Sequence, residues 1–400
     1  MAKTSRTSNF LGFLSMVSYG SWFYGFGVLL PEFTSRYELS EAALGGMYGI
    51  TTLFGGVIAI ACGRLLDNGN ITRVLRFIGP LGALCYALSV LSESSVLFVV
   101  LFVIGGGIVG GTGFYSLTQS ILLRRHDHGH IADVTRLTVW GAFASPIFIP
   151  FTEFLRSTFG LVASVVVPSF IVAVAFLLAS ASVSQLTVIA PSVGHLSKGL
   201  RASFRLMLQP GPIAWLWTSG VVGSVASSAL MVYQIPTMRA AGLAASSAAF
   251  FAGARGFTQL LGRLPLVWLI QKFGVKPLWI FSRTLIALSC VVLAFSGNYV
   301  TALLYVLLAG FSIGSLSALD GMVSREFLPI GDLGTLNGIL SLSYGVSSMV
   351  GLVVFGWING VSTSRTPSAI LMALTAMIAV CMSLPLLRAR SSTAQVPATP

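Results

Sequence analysis

The sequence predicts an all-α membrane protein of twelve spanning helices, built as two related six-helix bundles. Three observations carry this. The chain of 400 residues is 55% apolar and only 8% charged, where a soluble domain carries about 25% charge. Its apolar residues gather into twelve runs, each close to the ~20 residues that a bilayer core demands of a helix. The basic residues fall in alternate loops, and the longest polar stretch, Ser184–Pro212, divides the runs six and six.

In chain order the runs are 10–31, 42–62, 75–92, 96–121, 135–155 and 160–182, then 212–235, 243–269, 278–296, 299–321, 335–358 and 367–387. The first is long enough to span, so no cleavable signal peptide is expected. The fourth contains GGGIVGGTG, whose small residues let a helix approach its neighbour closely. A phosphate-binding loop would need a lysine and a helix start at that point, and neither is present. ATP-driven transport is not expected, because no nucleotide-binding domain is read anywhere in these residues. The expected organisation is a first bundle at 1–183, a cytoplasmic linker at 184–211, a second bundle at 212–388 and a disordered tail at 389–400. Within the linker, Leu196, Leu200, Phe204 and Met207 form one helical stripe, with Lys198, Arg201 and Arg205 off it. That pattern reads as an amphipathic helix lying on the membrane surface. Cys62, Cys85, Cys290 and Cys381 sit in apolar runs without metal-ligand spacing and read as reduced packing residues. No metal, cofactor or enzymatic chemistry is expected.

A net charge of +12 is a nucleic-acid signal in a soluble protein, but the positions of the charges explain it better. With the N-terminus inside, the inner loops hold most of the 23 Lys and Arg, Arg283 and the Arg124–His130 stretch RRHDHGH among them. The outer loops hold only Arg36, Arg156, Arg239 and Arg365. The acids Glu32, Glu38, Glu41, Glu93 and Glu153 lie on the outer side. This is the positive-inside distribution, with both termini cytoplasmic. The histidine-rich stretch reads as a solvated basic loop facing phospholipid headgroups, and the expected setting is a bacterial inner membrane.

The loop Gly63–Arg76, GRLLDNGNITRVLR, holds one acid, Asp67, with Arg64, Arg73 and Arg76 around it. A loop acid among loop bases makes a latch that holds helix ends in one state and frees them in another. A weaker copy, IQKFGVKPLW, occupies the same place in the second half. It keeps Lys272, Gly274 and Lys276 and has Gln271 in place of the acid. A duplicated six-helix unit is the architecture of a secondary transporter.

These features resemble the major facilitator superfamily. Its loop signature between helices 2 and 3 is matched by Gly63, Leu65, Asp67 and Arg73, with Asn68 and Asn70 departing from it. GAFASPIFIP in the fifth run is similar to a glycine–proline motif of exporters. Within the superfamily the likeness is to monocarboxylate transporters and oxalate/formate antiporters, on YGSWFYGFGVLLPEF in the first run and LLGRLPLVWLIQKFG in the eighth. That resemblance implies that Arg263, eight residues before Gln271, binds substrate. The lysines of those families in helices 1 and 11 are absent here.

The residues of the eighth run carry their own argument. Arg255, Gln259 and Arg263 fall at i, i+4 and i+8 on one side of a helix. A bare cation at the bilayer centre costs about 3 kcal/mol on the lenient scale, so Arg255 needs an interior partner or an anionic ligand. One reading makes Arg255 and Arg263 a carboxylate site; the other makes them interhelical ties. Asp320, inside the tenth run, and Glu153 are the candidates to carry a coupled proton. Tyr19, Trp22 and Tyr24 of the first run and Tyr233 of the seventh offer an apolar wall with hydrogen-bonding tips, or ordinary helix packing. The combined expectation is a secondary transporter of a small organic anion, a carboxylate, working by alternating access with proton coupling or exchange. It sits in membrane lipid, binds no nucleic acid and functions as a monomer. The rivals are an exporter of hydrophobic drugs and a non-transporting sensor.

Overall fold

A computed structural model describes residues 2–39, 41–124, 130–184, 200–362 and 364–389. These residues are helical throughout, with no strand among them. Each of the twelve predicted runs lies in a helix. α1 runs through Ala2–Ser18, a π-helical stretch Tyr19–Tyr24, and Gly25–Tyr37. α2 is Glu41–Asp67, and α3 joins Ile71–Arg73, a second π-helical stretch Val74–Ile78, and Gly79–Ser89. α4 consists of Ser95–Gly113 and Tyr115–Leu123, bent where Phe114 takes an extended conformation. α5 begins at His130, and α6 ends at Val183; the chain reverses between them at Gly160, whose φ of 82° suits glycine.

A short helix, Leu200–Leu208, follows in the linker. Met207 on it is buried and Phe204 exposed; Leu196 lies outside the described residues. α7 is Pro212–Ala240, and α8 joins Ala245–Arg263 to Leu266–Phe273 across Pro265. α9 is Val275–Ala294, α10 Tyr299–Phe327, α11 Leu333–Val361, and α12 Thr366–Ser383 with Pro385–Arg388. Local chemistry sets several starts. The Ser94 side chain accepts from Leu97 N–H at 3.4 Å and that of Asn298 from Thr301 N–H at 3.0 Å, each capping a helix.

Nine helical stretches of the described residues are long and apolar enough to cross a membrane. One of them, Ile131–Val183, holds two predicted runs joined at Gly160. Large apolar side chains such as Phe170, Val300 and Trp357 are exposed along the helices, the reverse of a water-facing surface. The protein is an integral, multi-pass membrane protein.

The contacts form two compact units. The first is Met1–Gly199 with Ile330–Leu342, and the second is Leu200–Pro329 with Ser343–Pro400. Inside the first, α1 packs on α5, α2 on α4, and α3 on α4 and α6. Inside the second, α7 packs on α12, α8 on α10, and α9 on α10 and α12. The pairs α2/α4 and α8/α10 correspond, as do α3/α4 and α9/α10, so each half repeats the other's internal pattern. All four cysteines are free thiols.

Glycine makes these crossings close. A Cβ on Gly105 of α4 would strike the Tyr86 backbone of α3, and one on Gly111 would come 2.5 Å from the Gly55 carbonyl oxygen of α2. In the second unit a Cβ on Gly314 would meet the Gln259 carbonyl, and one on Gly262 that of Phe311. Overpacking such a contact costs about 1–3 kcal/mol or more. Gly105→Val is therefore expected to lower the melting temperature of the detergent-purified protein. Gly46→Ala, with open space around Gly46, is expected to leave it unchanged. Equal melting temperatures for the two would contradict the α3–α4 approach described here.

Candidate functional site

In the second unit, the polar face of α8 is buried. Arg255, midway along α8, is 7% exposed and Arg263 is 3% exposed. Arg255 Nε donates to Gln234 Oε1 of α7 at 3.2 Å, and Tyr305 Oη of α10 donates to the same oxygen at 2.8 Å. Arg263 Nη2 donates to Gln259 Oε1 at 3.1 Å, and its Nε reaches Ser317 Oγ at 3.2 Å and Gly314 O at 3.3 Å. The glycines of α10 bring that carbonyl within reach. Every one of these acceptors is neutral. The Nη1 atoms of both arginines are buried without an acceptor among the described residues, a state rare enough to need a reason. The sequence-predicted trio is thus brought together along one helix side. Tyr233 is not part of it: its hydroxyl donates to Leu352 O of α11 at 2.7 Å.

A second polar group surrounds a cavity of about 160 Å³ between α7, α9, α10, α11 and α12. Arg283, near the middle of α9, donates through Nη1 to Ser219 Oγ at 3.1 Å and Ser383 Oγ at 2.9 Å, and through Nη2 to Ser219 O at 3.0 Å. Its guanidinium lies 4.4 Å from the ring centroid of Trp279, a cation–π contact. Trp279 Nε1 in turn donates to Asp320 Oδ1 at 2.6 Å. Asp320 is exposed to the cavity, not packed away. Room for this group comes from α7. A Cβ on Gly223 would come 2.7 Å from Arg283 Nη2, and one on Gly220 would strike the Tyr344 hydroxyl. The sequence expectation placed Arg283 with the inner-loop cations. The structure corrects this, because a residue inside the run 278–296 is turned to the bundle interior and held there by two serines.

In the first unit, Asp67 ends α2 and reaches the start of α11. Its Oδ1 accepts from Gly334 N–H at 2.9 Å, and Oδ2 accepts from Thr335 N–H at 2.7 Å and Thr335 Oγ1 at 2.6 Å. These are N–H groups that no helical turn can satisfy, at the positive end of the helix dipole. Arg124 Nη1 completes the set, 3.0 Å from Asp67 Oδ1 and 2.8 Å from Leu66 O. Gly63 and Gly334 touch backbone to backbone, and a Cβ on either would strike the other's carbonyl. The expectation that Arg64, Arg73 and Arg76 surround Asp67 is corrected. Arg73 and Arg76 are exposed on α3, and the bonded cation is Arg124 at the end of α4. Arg124 is likewise not part of a solvated loop, being 1% exposed. The rest of that loop, residues 125–129, lies outside the described residues.

The remaining predicted residues lie apart from these groups. Tyr19 stacks on Phe114 at 3.8 Å, Trp22 stacks on Phe114 at 5.6 Å, and Tyr24 meets Phe23 at 5.2 Å. They form an aromatic group between α1, α2 and α4, on the π-helical stretch of α1, an irregularity frequent at functional sites. Glu153 is an exposed surface acid. Arg156 donates to it at 2.7 and 2.9 Å and to Glu32 at 2.7 Å. Gly274 turns the α8–α9 link with φ 83°. Lys276 lies 3.3 Å from Glu326, and Lys272 is exposed beside the Trp268 ring.

The sequence model of the Major Facilitator Superfamily matches residues 216–399. No curated protein sequence matches this chain. Solved structures do match in fold. A major facilitator superfamily transporter, FucP, in the outward conformation aligns with TM-score 0.76 at 17% identity, over 96% of this chain and 98% of that one. A bacterial homologue of the iron transporter ferroportin in an outward-facing state with soaked iron gives 0.71 at 15%, over 96% and 99%. The human organic anion transporter MFSD10 gives 0.73 at 12%, over 96% and 99%. The chain has the major facilitator fold.

The Asp67 group predicts a non-additive mutant cycle. Removing one partner of a buried pair costs about 3–5 kcal/mol, here eased for Arg124 by the Leu66 carbonyl and the nearby charge of Asp332. Asp67→Ala is expected to lower the melting temperature of the purified protein steeply. Adding Arg124→Met should recover a large part of the loss. Strict additivity of the two losses would mean that the pair is not coupled.

Proposed function

We propose that this protein is a secondary transporter that moves a small organic anion by alternating access, with proton coupling or exchange. The observation that carries the reading is a charge imbalance inside the second unit. That unit has two acids, Asp320 and Glu326, and Glu326 sits beside Lys276 near the helix ends. Asp320 is then the one other acid of the unit, against four guanidinium groups that are buried or turned inward, those of Arg255, Arg263, Arg283 and Arg325. An arginine cannot shed its charge, so an interior of this kind favours an anionic cargo and disfavours cationic or neutral ones. The unsatisfied Nη1 donors of Arg255 and Arg263 add to that preference. Among proteins of similar fold are a human organic anion transporter and a proton:xylose symporter, so the fold accommodates both an anionic cargo and proton coupling.

The first unit supplies the latch in this reading. Asp67, Gly63 and Arg124 grip the first turn of α11, and their bonds break and reform as the transporter cycles. In the second half Gly274 turns the equivalent loop, and Lys276 ties it to Glu326. The distribution of basic residues supports cytoplasmic termini, and the setting in this reading is a bacterial inner membrane.

The test is uptake of labelled mono- and dicarboxylates into proteoliposomes holding the full chain. Saturable uptake of at least one is expected. Arg255→Gln and Arg263→Gln are each expected to lower it on the order of tenfold, the scale of one lost charge-assisted hydrogen bond. Efflux of a neutral dye should not respond to either substitution. Absence of any carboxylate uptake, with dye efflux present, would replace this reading with drug export.

A further inference from the structure

A guanidinium taken out of water is ordinarily met by a carboxylate. Arg255 and Arg263 are met by amides instead. Gln234 and Gln259, each 6% exposed, are the two buried glutamines among the described residues of the second unit, and each accepts from one of these arginines. Every hydrogen bond that the two arginines make among the described residues ends on a neutral oxygen. Gln234 is held at both ends of its amide. Its Oε1 accepts from Arg255 Nε at 3.2 Å and from Tyr305 Oη at 2.8 Å, and its Nε2 donates to Met231 O at 2.8 Å. An amide oxygen has two acceptor sites. Both are taken, so this one cannot serve Arg255 Nη1 as well. That atom, like Arg263 Nη1, is buried without an acceptor among the described residues. α10 presses on this stretch of α8: a Cβ on Gly310 would strike Thr258, and one on Gly314 the Gln259 carbonyl. Packing this close leaves both arginines in a medium of low dielectric, where an uncancelled charge is strongly felt.

We propose, resting on the anion reading above, that Gln234 and Gln259 set the charge of the cargo. Glutamine and glutamate have the same number of heavy atoms and the same reach. A glutamate at either place would accept the same bonds, and a charged acceptor makes each of them roughly twice as strong. A charge stranded in a bundle is destabilising, and the arrival of its partner relieves that. For tying helices together, glutamate is therefore the better residue. It would also cancel the guanidinium charge. The amide positions the arginine and leaves its charge in place, so an entering anion supplies the missing countercharge. The cargo class follows: a solute with a carboxylate is taken, and its uncharged amide is not. Gln234 and Gln259 are positioning residues in this scheme, acting on the cargo through Arg255 and Arg263.

The experiment separates charge from packing. The full chain and its Gln234→Glu, Gln259→Glu and Gln234→Met variants are purified for melting temperatures. Each is then placed in proteoliposomes with labelled lactate, malonate and succinate, and with the uncharged amide of each acid. Wild type is expected to take up at least one acid and to prefer it to its amide. Gln234→Glu and Gln259→Glu should each melt at or above the wild-type temperature. Each should nevertheless raise KM for the acid about tenfold or more, with uptake of the amide unchanged or higher. Gln234→Met removes the acceptor and adds no charge. It should melt lower than wild type and raise KM less than Gln234→Glu does. A purely structural role for the amides reverses this order: glutamate then keeps transport, and methionine loses it. That reversed order, with acid preference intact in both glutamate variants, overturns the proposal and leaves the anion reading standing. Glutamate variants that both melt well below wild type also overturn it, because an uncancelled guanidinium gains from a carboxylate. A wild type that moves none of the acids overturns the anion reading, and this assignment with it.

Discussion

A guanidinium held inside an apolar helix bundle must find acceptors at fixed places, and much of the second unit is arranged to supply them. Gln234 serves Arg255, with Tyr305 donating to the same amide oxygen, Gln259 and Ser317 serve Arg263, and Ser219 and Ser383 serve Arg283. These acceptors sit on α7, α8, α10 and α12, so each arginine ties its helix to others. None of them cancels the charge. Neutral acceptors satisfy hydrogen-bond geometry while leaving the Coulomb problem open, so the interior is well ordered and keeps its positive charge.

The first unit solves the opposite problem. There a carboxylate, Asp67, is taken out of water, and its four bonds come from the start of a helix, a hydroxyl and one arginine. Helix-start N–H groups already lack partners, so the helix end gains what the carboxylate needs. The contact demands close approach, which explains glycine at both Gly63 and Gly334: their backbones meet where any side chain would intrude. One arginine closes the carboxylate's shell and also accepts burial itself, with the Leu66 carbonyl as its second partner.

Legibility in the sequence varied by residue for physical reasons. The helices were readable because a bilayer sets both their length and their polarity, and Gly63 and Asp67 stood out as a glycine and a lone acid in a basic loop. The partner of Asp67 did not. Arg124 is 57 positions away, and nothing in a local stretch of histidines and arginines indicates which arginine turns inward. Arg283 carried a usable signal that loop-counting concealed: it lies inside an apolar run, five residues from its start. Asp320 was visible as a helix acid, but its setting beside Trp279 and Arg283 was not, since the two lie on another helix. Tyr19, Trp22, Tyr24 and Tyr233 were legible as aromatics and not as partners, because stacking geometry depends on how helices cross.

The sequence by itself determined the all-helical membrane fold, the repeat of six runs in each half and the excess of interior arginine over acid. Those properties follow from periodicity, length and composition, which are local or additive. Tertiary structure decided which cation meets Asp67, which arginine lines the cavity of the second unit and which amides the other two meet, and where glycine permits contact. Each of these depends on the rotation and crossing of two helices about their axes, to within an ångström or so, and a linear order of residues does not specify that geometry.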